Sequence, residues 1–162
     1  MEAWVEDAKQ LIKGLLERMR AEAEVKTVLH DRDLLVDIQG DREGLLIGKG
    51  GRTLDALQTL ISRMINKQHD GSVRVVIDID GYKKRRSESL TRMAMRSGEI
   101  VRATGKAVVV GPFTAQDRRV IHLALQESPH VTTESMGEGE GNIKKIRIIP
   151  KKKEGGEVRS LE

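Results

Sequence analysis

A short glycine-rich stretch at residues 46–54 constrains this chain more than any other part of its sequence. The run reads Leu-Ile-Gly-Lys-Gly-Gly-Arg-Thr-Leu. Gly48 and Gly51 permit backbone dihedral angles and close approaches that side chains forbid. We therefore expect a tight joint between two helices, and a second helix whose first amide N–H groups point outward and attract phosphate. Lys49 and Arg52 add positive charge at the same point.

The pattern Ile-Gly-x-x-Gly with a helix behind it resembles the KH RNA-binding domain, in which this loop holds the backbone of about four nucleotides. A Walker loop is excluded because no Ser or Thr follows Gly-Lys, and a dinucleotide fingerprint lacks its third glycine. A purely structural turn is the alternative. The resemblance implies that nucleic acid contacts the loop residues Gly48, Lys49, Gly50, Gly51 and Arg52. It is strengthened by the apolar run Leu54, Leu57, Leu60, Ile61, Met64 and Ile65.

Hydrophobic periodicity predicts the elements on either side of this loop. The first eighty residues should form a helix over 3–21, a strand hairpin turning at 31–33, a short helix through Glu43–Leu46, a helix over 53–66, a turn at 69–71 and a strand over 73–79. The order helix, strand, strand, helix, helix, strand resembles the type II KH arrangement.

The remaining residues predict a second set of elements. We expect a helix over 82–104, a strand over 107–110, a helix over 115–126 capped by Thr114, and strands over 131–135 and 143–149 separated by a loop over 136–142. Gly98 is a point where the first of these helices could kink. Gly111-Pro112 is expected to end the first strand. Arg85, Arg92 and Arg96 share one side of their helix.

One face of the helix over 115–126 is polar. At 100° per residue, that face carries Arg118, Arg119, His122 and Gln126. Arg118-x-x-x-His122 ahead of two strands resembles the small domain named for its Arg-x-x-x-His motif, which binds single-stranded nucleic acid. The resemblance implies that these four residues bind nucleic acid. Lys145 and Arg147 share a face of the last strand and are expected to extend the basic surface.

Charge is distributed unevenly along the chain. Residues 1–80 carry 12 Lys and Arg against 15 Asp and Glu, a net charge of −3. Residues 81–162 carry 17 against 10, a net charge of +7. A basic half indicates a polyanionic partner, with a solvated charged surface as the alternative. Aromatic side chains are limited to Trp4, Tyr82 and Phe113, so base stacking must rely on these or on Arg and His.

Several classes of function lack support in the sequence. Cysteine is absent, which excludes disulfides and thiolate metal sites. The four histidines show no metal-ligand spacing, and no catalytic constellation stands out, so we expect no enzyme activity, metal or cofactor. No apolar run approaches the ~20 residues of a membrane span, and the acidic amino terminus is unlike a signal peptide. These features predict a cytoplasmic protein.

A type II KH domain followed directly by an Arg-x-x-x-His domain resembles the bacterial Jag family, also called KhpB or the SpoIIIJ-associated protein family. The stretches 117–126 and 131–138 are similar to that family's pattern. The resemblance implies an α+β chain of two small sandwich-like domains over 1–80 and 81–150. Composition predicts a disordered basic tail over 151–162. We expect the last two residues, Leu-Glu, to be a vector remnant.

The family resemblance implies a cytoplasmic protein that binds single-stranded RNA or single-stranded DNA. It further implies an RNA chaperone or post-transcriptional regulator linked to cell shape, division and cell-wall homeostasis, with the small KH protein KhpA as a partner. Many members carry an additional amino-terminal Jag domain, whereas here the KH helix starts at once. The alternative is a protein-interaction module that forms a homodimer, or docks on a ribosome or membrane insertase, and binds RNA only incidentally.

Overall fold

The computed structural model describes residues 3–42, 44–68, 73–137 and 143–151. The chain divides into two compact units, Met1–Arg85 and Arg86–Glu162, and the boundary falls inside the third helix. Both units mix helices with a three-stranded sheet, which confirms the predicted α+β class. The domain boundary predicted after residue 80 stays a prediction. The predicted turn at 69–71 and most of the predicted tail lie outside the described residues.

The first unit is a three-stranded sheet with two helices. Its elements are α1 (Ala3–Arg18), β1 (Glu24–His30), β2 (Asp33–Gln39), a 3₁₀ turn (Lys49–Gly51), α2 (Arg52–Gln68) and β3 (Arg74–Ile79). The central strand β2 pairs antiparallel with β1 and parallel with β3. Alternate residues of β2, namely Leu34, Val36 and Ile38, are buried against α1 and α2. The period-2 pattern therefore selects the sheet face that the helices cover.

The short helix predicted through Glu43–Leu46 is reduced to one helical turn. The Gly48 N–H donates to the Gly44 carbonyl at 2.9 Å, which closes a single turn over residues 45–47. Gly44 itself has a φ of 67°, so the turn does not continue towards β2. Glu43 lies outside the described residues.

The second unit repeats the predicted element order. It contains α3 (Tyr82–Thr104), which begins in the first unit, then β4 (Val108–Phe113), α4 (Ala115–Gln126), β5 (Val131–Met136) and β6 (Lys144–Pro150). The strand β6 lies between β4 and β5 and is antiparallel to both. Ile146 and Ile148 of β6 form the core together with buried residues of the two helices, including Ala94, Val101, Ile121 and Leu125.

Two details of this unit differ from the sequence-based expectation. The helix α3 continues through Gly98, because the glycine is buried and a Cβ there would lie 3.0 Å from the Leu125 Cδ2 atom. Gly98 therefore permits close packing rather than a kink. The strand β4 does not end at Gly111-Pro112: its pairing with β6 is interrupted after Val110 and resumes at Phe113.

Candidate nucleic-acid interface

The first candidate site is the glycine loop, residues 48–51, at the start of α2. Gly48 has φ 68° and ψ −178°, Gly50 has φ 65°, and Gly51 has φ 83°. Side-chain-bearing residues rarely adopt such angles. A Cβ on Gly48 would also lie 2.9 Å from the Cβ of Thr53. The loop therefore has the positive φ angles and the close approach that its sequence predicts.

The amide N–H groups around the loop are mostly used inside the protein. The N–H of Gly51 donates to the Gly48 carbonyl at 3.3 Å, and the N–H of Arg52 donates to the Lys49 carbonyl. The N–H groups of Thr53 and Leu54 donate to the Ile47 carbonyl at 3.1 and 3.2 Å. The expectation that the first N–H groups of α2 point outward is therefore wrong.

The open amides lie earlier, in the 3₁₀ turn. Among the described residues, no acceptor is found for the N–H groups of Lys49 and Gly50. The side chains of Lys49 and Arg52 on either side are exposed. Two adjacent free donors between two cations form an arrangement suited to one phosphate group.

An aromatic ring covers the other side of the glycine loop. A Cβ on Gly51 would lie 3.0 Å from the Cε1 atom of Tyr82, so this ring packs directly on the loop backbone. Gly51 is buried as a result. Its predicted contact with nucleic acid would consequently be indirect.

The outward face of α2 carries residues that sequence analysis assigned differently or missed. Leu60 and Met64, which were included in the apolar run, are 46% and 36% exposed. They lie at one flank of the buried stripe formed by Leu54, Leu57, Ile61 and Ile65. Arg63 and Lys67 are exposed near them and, by helical spacing, lie on the same side as Arg52. A helical wheel centred on the charged residues would have revealed this mixed face.

The second candidate site joins α4 to β5. Arg118 Nη1 donates to the Ser135 hydroxyl at 3.1 Å, and His122 Nε2 lies 3.3 Å from the same oxygen. His122 Nδ1 lies 2.5 Å from the Thr133 hydroxyl. Arg118 and His122 are one helical turn apart, and Thr133 and Ser135 are alternate residues of one strand face. The structure therefore brings the predicted pair together on two hydroxyl groups that sequence analysis did not single out.

His122 is tuned towards its neutral form. Burial lowers its pKa below the ordinary value of about 6.5, and the nearby Arg118 charge lowers the pKa further. At neutral pH the ring therefore has one donor and one acceptor nitrogen. The fixed positive charge of the pair belongs to Arg118.

The helix α4 is fixed at its first turn, next to this pair. Thr114 caps the helix by accepting the Asp117 N–H at 3.2 Å, as the sequence predicts. The buried Asp117 carboxylate receives Arg86 Nη2 at 2.8 Å, which ties α4 to α3. Arg119 and Gln126 are exposed on α4.

Lys145 and Arg147 do not extend this surface. In the antiparallel register, Ser135 and Thr133 lie opposite Ile146 and Ile148, so they share the face that packs on the helices. Arg147 lies opposite Glu134, and Lys145 lies opposite Met136, on the other face. Because burial of Ile146 and Ile148 fixes the alternation of β6, the two cations must point away from His122.

Two further expectations concern absences. In the described ranges, no group of three or more His, Asp or Glu side chains is placed to hold a metal ion. No described helix combines the length and the apolar character that crossing a bilayer requires.

Comparison with known proteins assigns each half of the chain. A model of the KhpA/KhpB KH domain matches residues 6–77, and a model of the Arg-x-x-x-His domain matches residues 88–143. These ranges contain the glycine loop and the Arg118–His122 pair respectively.

Three relatives share the name RNA-binding protein KhpB. The protein of Clostridium symbiosum is 40% identical over 108 residues, 67% of this chain and 49% of that protein. Those of Lactiplantibacillus plantarum and Bacillus subtilis are 36% and 30% identical, over 76% and 84% of this chain and 38% and 66% of their own lengths. The chain thus spans only part of each relative. With a KhpA/KhpB-type KH domain followed by an Arg-x-x-x-His domain, and with these relatives, the chain belongs to the KhpB family.

Proposed function

We propose that this chain binds single-stranded RNA, with single-stranded DNA as a weaker ligand, through its glycine loop and its Arg118–His122 pair. The observation that carries the proposal is the pair of open N–H groups at Lys49 and Gly50, placed between two exposed cationic side chains. Backbone donors of this kind hold phosphate without reading sequence. The name of the three relatives supports RNA as the ligand.

Bases would be held by apolar surface next to the loop. Leu45 is 46% exposed, and Ile47 is half-buried immediately before Gly48. No aromatic platform is required at this site, since aliphatic contacts and hydrogen bonds can hold an unstacked base.

The second site would act through side chains. Arg118 supplies a cation for phosphate or a plane for stacking, and neutral His122 supplies a hydrogen-bonding ring. The exposed residues Arg119 and Gln126 would widen the same surface. Lys145 and Arg147 would contribute only if RNA also reached the opposite face of the sheet. Two weak sites on one chain gain affinity through effective concentration.

The biological role that fits this binding is that of a cytoplasmic RNA chaperone or post-transcriptional regulator. We place it, with its family, in cell shape, division and cell-wall homeostasis, and we expect a small KH protein such as KhpA as a partner. A binding protein without catalytic activity is the form that this proposal takes.

A second candidate function is protein docking through the first unit, either on KhpA or in a homodimer. It is favoured by an apolar row across the outer face of the first sheet, formed by Val28, Leu35 and Val76 in register. Val28 is 59% exposed and Leu35 is 41% exposed. A Leu35→Lys variant should abolish a dimer detected by light scattering if this face is the interface, and should leave RNA binding intact.

Fluorescence anisotropy with a short fluorescein-labelled single-stranded RNA tests the main proposal. Gly50→Asp places a carboxylate beside the open amides, and aspartate tolerates the left-handed angles of this position. Gly105→Asp is the matched control, because Gly105 has a φ of 67°, with open space around it among the described residues, and lies outside both sites. Arg118→Ala with His122→Ala tests the second site.

We expect both site variants to weaken binding by about tenfold or more, equivalent to about 1.4 kcal/mol, and Gly105→Asp to have no effect. Affinity should also fall steeply with salt, with a slope near −0.7 per phosphate contacted for single strands. Equal affinities for wild type and both site variants, or an affinity that does not change with salt, would refute the proposal.

A further inference from the structure

Two carboxylates hold the entrance to the glycine loop in one chain of hydrogen bonds. Asp80, directly after β3, accepts the N–H groups of Gly40 and Asp41, each at 3.0 Å. The Asp41 carboxylate then accepts the N–H of Leu46 at 3.1 Å and the N–H of Ile47 at 3.0 Å. Both acids are half-buried, and their oxygens face backbone donors. The chain of bonds therefore runs from the end of β3 to the residue before the loop.

The same chain of bonds continues into α2. The carbonyl of Ile47, whose N–H is held by Asp41, accepts the first two N–H groups of the helix that follow Arg52. Leu46, the other residue held by Asp41, is fully buried in the core. Asp41 therefore fixes the backbone on the side from which the open N–H groups of Lys49 and Gly50 project.

We propose that Asp41 is a positioning residue for RNA binding. Its carboxylate fixes the loop so that the N–H groups of Lys49 and Gly50 point outward together, towards one phosphate. This inference rests on the proposed function of the glycine loop. Asp80 supports Asp41 from below, so it acts one step further from the RNA.

Charge alone predicts the opposite effect for this residue. A carboxylate near a phosphate site repels RNA, so replacing Asp41 with a neutral residue should tighten binding. Positioning predicts weaker binding instead. The sign of the change in affinity therefore separates the two explanations.

Asp31 offers a matched control. It is exposed in the turn between β1 and β2, where its contact is an ion pair with His30 at 3.5 Å. Asp31→Asn changes the net charge by the same amount as Asp41→Asn and leaves the loop untouched. Asparagine also tolerates the φ of 54° at this position.

The experiment measures the affinity of a labelled single-stranded RNA for Asp41→Asn and Asp31→Asn, each alone and combined with Gly50→Asp. We expect Asp41→Asn to weaken binding about tenfold, as for the loss of one charge-assisted hydrogen bond. Asp31→Asn should leave binding unchanged or slightly tighter. In the Gly50→Asp background, Asp41→Asn should have no further effect, because the loop no longer holds phosphate. Asp41→Glu, which keeps the charge but moves the carboxylate, should also weaken binding.

Fluorescence of Trp4, which packs on the first core, verifies that each variant is folded. The inference is overturned if folded Asp41→Asn binds as tightly as Asp31→Asn, or if it loses as much affinity in the Gly50→Asp background as in wild type. If wild type itself does not bind RNA, the proposed function fails and the inference fails with it. If wild type binds and only the Asp41 result is contrary, the proposed function stands.

Discussion

Alanine at Gly48 should destabilise the first unit far more than alanine at Gly44. The two glycines have nearly the same φ, 68° and 67°. Gly44 has open space around it among the described residues, whereas a Cβ on Gly48 would lie 2.9 Å from the Thr53 Cβ and 3.1 Å from the Thr53 backbone nitrogen. The pair therefore separates the effect of a positive φ from the effect of a close approach.

The expected magnitudes follow from these two effects. A positive φ costs an alanine about 1–2 kcal/mol relative to glycine, which is the whole penalty at Gly44. Gly48 combines its φ with a ψ of −178°, a region used almost only by glycine, and this backbone strain costs about 1–3 kcal/mol. Displacing Thr53 at the first turn of α2 adds about 1–3 kcal/mol. Gly48→Ala should thus lower the free energy of unfolding by about 2 kcal/mol more than Gly44→Ala.

Urea denaturation followed by tryptophan fluorescence measures this difference. Trp4 is the single tryptophan of the chain and packs on the core of the first unit, so its signal reports on that unit. The second unit has no tryptophan and does not obscure the transition. Equal losses of stability in the two variants would show that the approach to Thr53 does not constrain the loop.

Three other outcomes follow from the second unit. Asp117→Ala should lower its free energy of unfolding by about 2–3 kcal/mol in urea denaturation followed by circular dichroism, since it leaves Arg86 without its carboxylate in a partly buried site; a loss below about 1 kcal/mol would contradict this. Gly98→Val should cost about 1–3 kcal/mol in the same assay by overfilling the core, and an unchanged midpoint would show that the core can adapt. Because the folded state lowers the pKa of His122, its stability contribution should be complete above about pH 6.5 and be lost as the pH falls below that value; an NMR titration should show the lowered pKa, and Arg118→Ala should raise it partly.

The sequence was sufficient for most elements because local patterns determine them. The polar face on α4 and the cap at Thr114 follow from spacing alone, and the structure has both. The alternation of Leu34, Val36 and Ile38 likewise predicts a strand with one buried face. These are properties of neighbouring residues, so they can be read without knowledge of the fold.

Properties that depend on distant residues could not be obtained in this way. Lys145 and Arg147 share a strand face, but only the pairing of β5 with β6 decides that this face points away from His122. Gly98 would weaken an isolated helix, and only the contact with Leu125 explains why a glycine is needed in an unbroken one. The carboxylate of Asp80 reaches Asp41 across 39 residues of sequence. Such contacts are made by the tertiary fold and leave no local pattern.

The two proposed sites should therefore respond differently to mutagenesis. The second site would bind RNA through the side chains of Arg118 and His122, which alanine removes. The first would bind through the N–H groups of Lys49 and Gly50, which every residue except proline retains. An alanine scan should consequently rank the second site as dominant even where both contribute equally. Substitutions that block or misplace the amides, such as Gly50→Asp and Asp41→Asn, are needed to measure the first site. If those two variants and Lys49→Ala all leave the affinity unchanged, backbone recognition at the glycine loop is refuted.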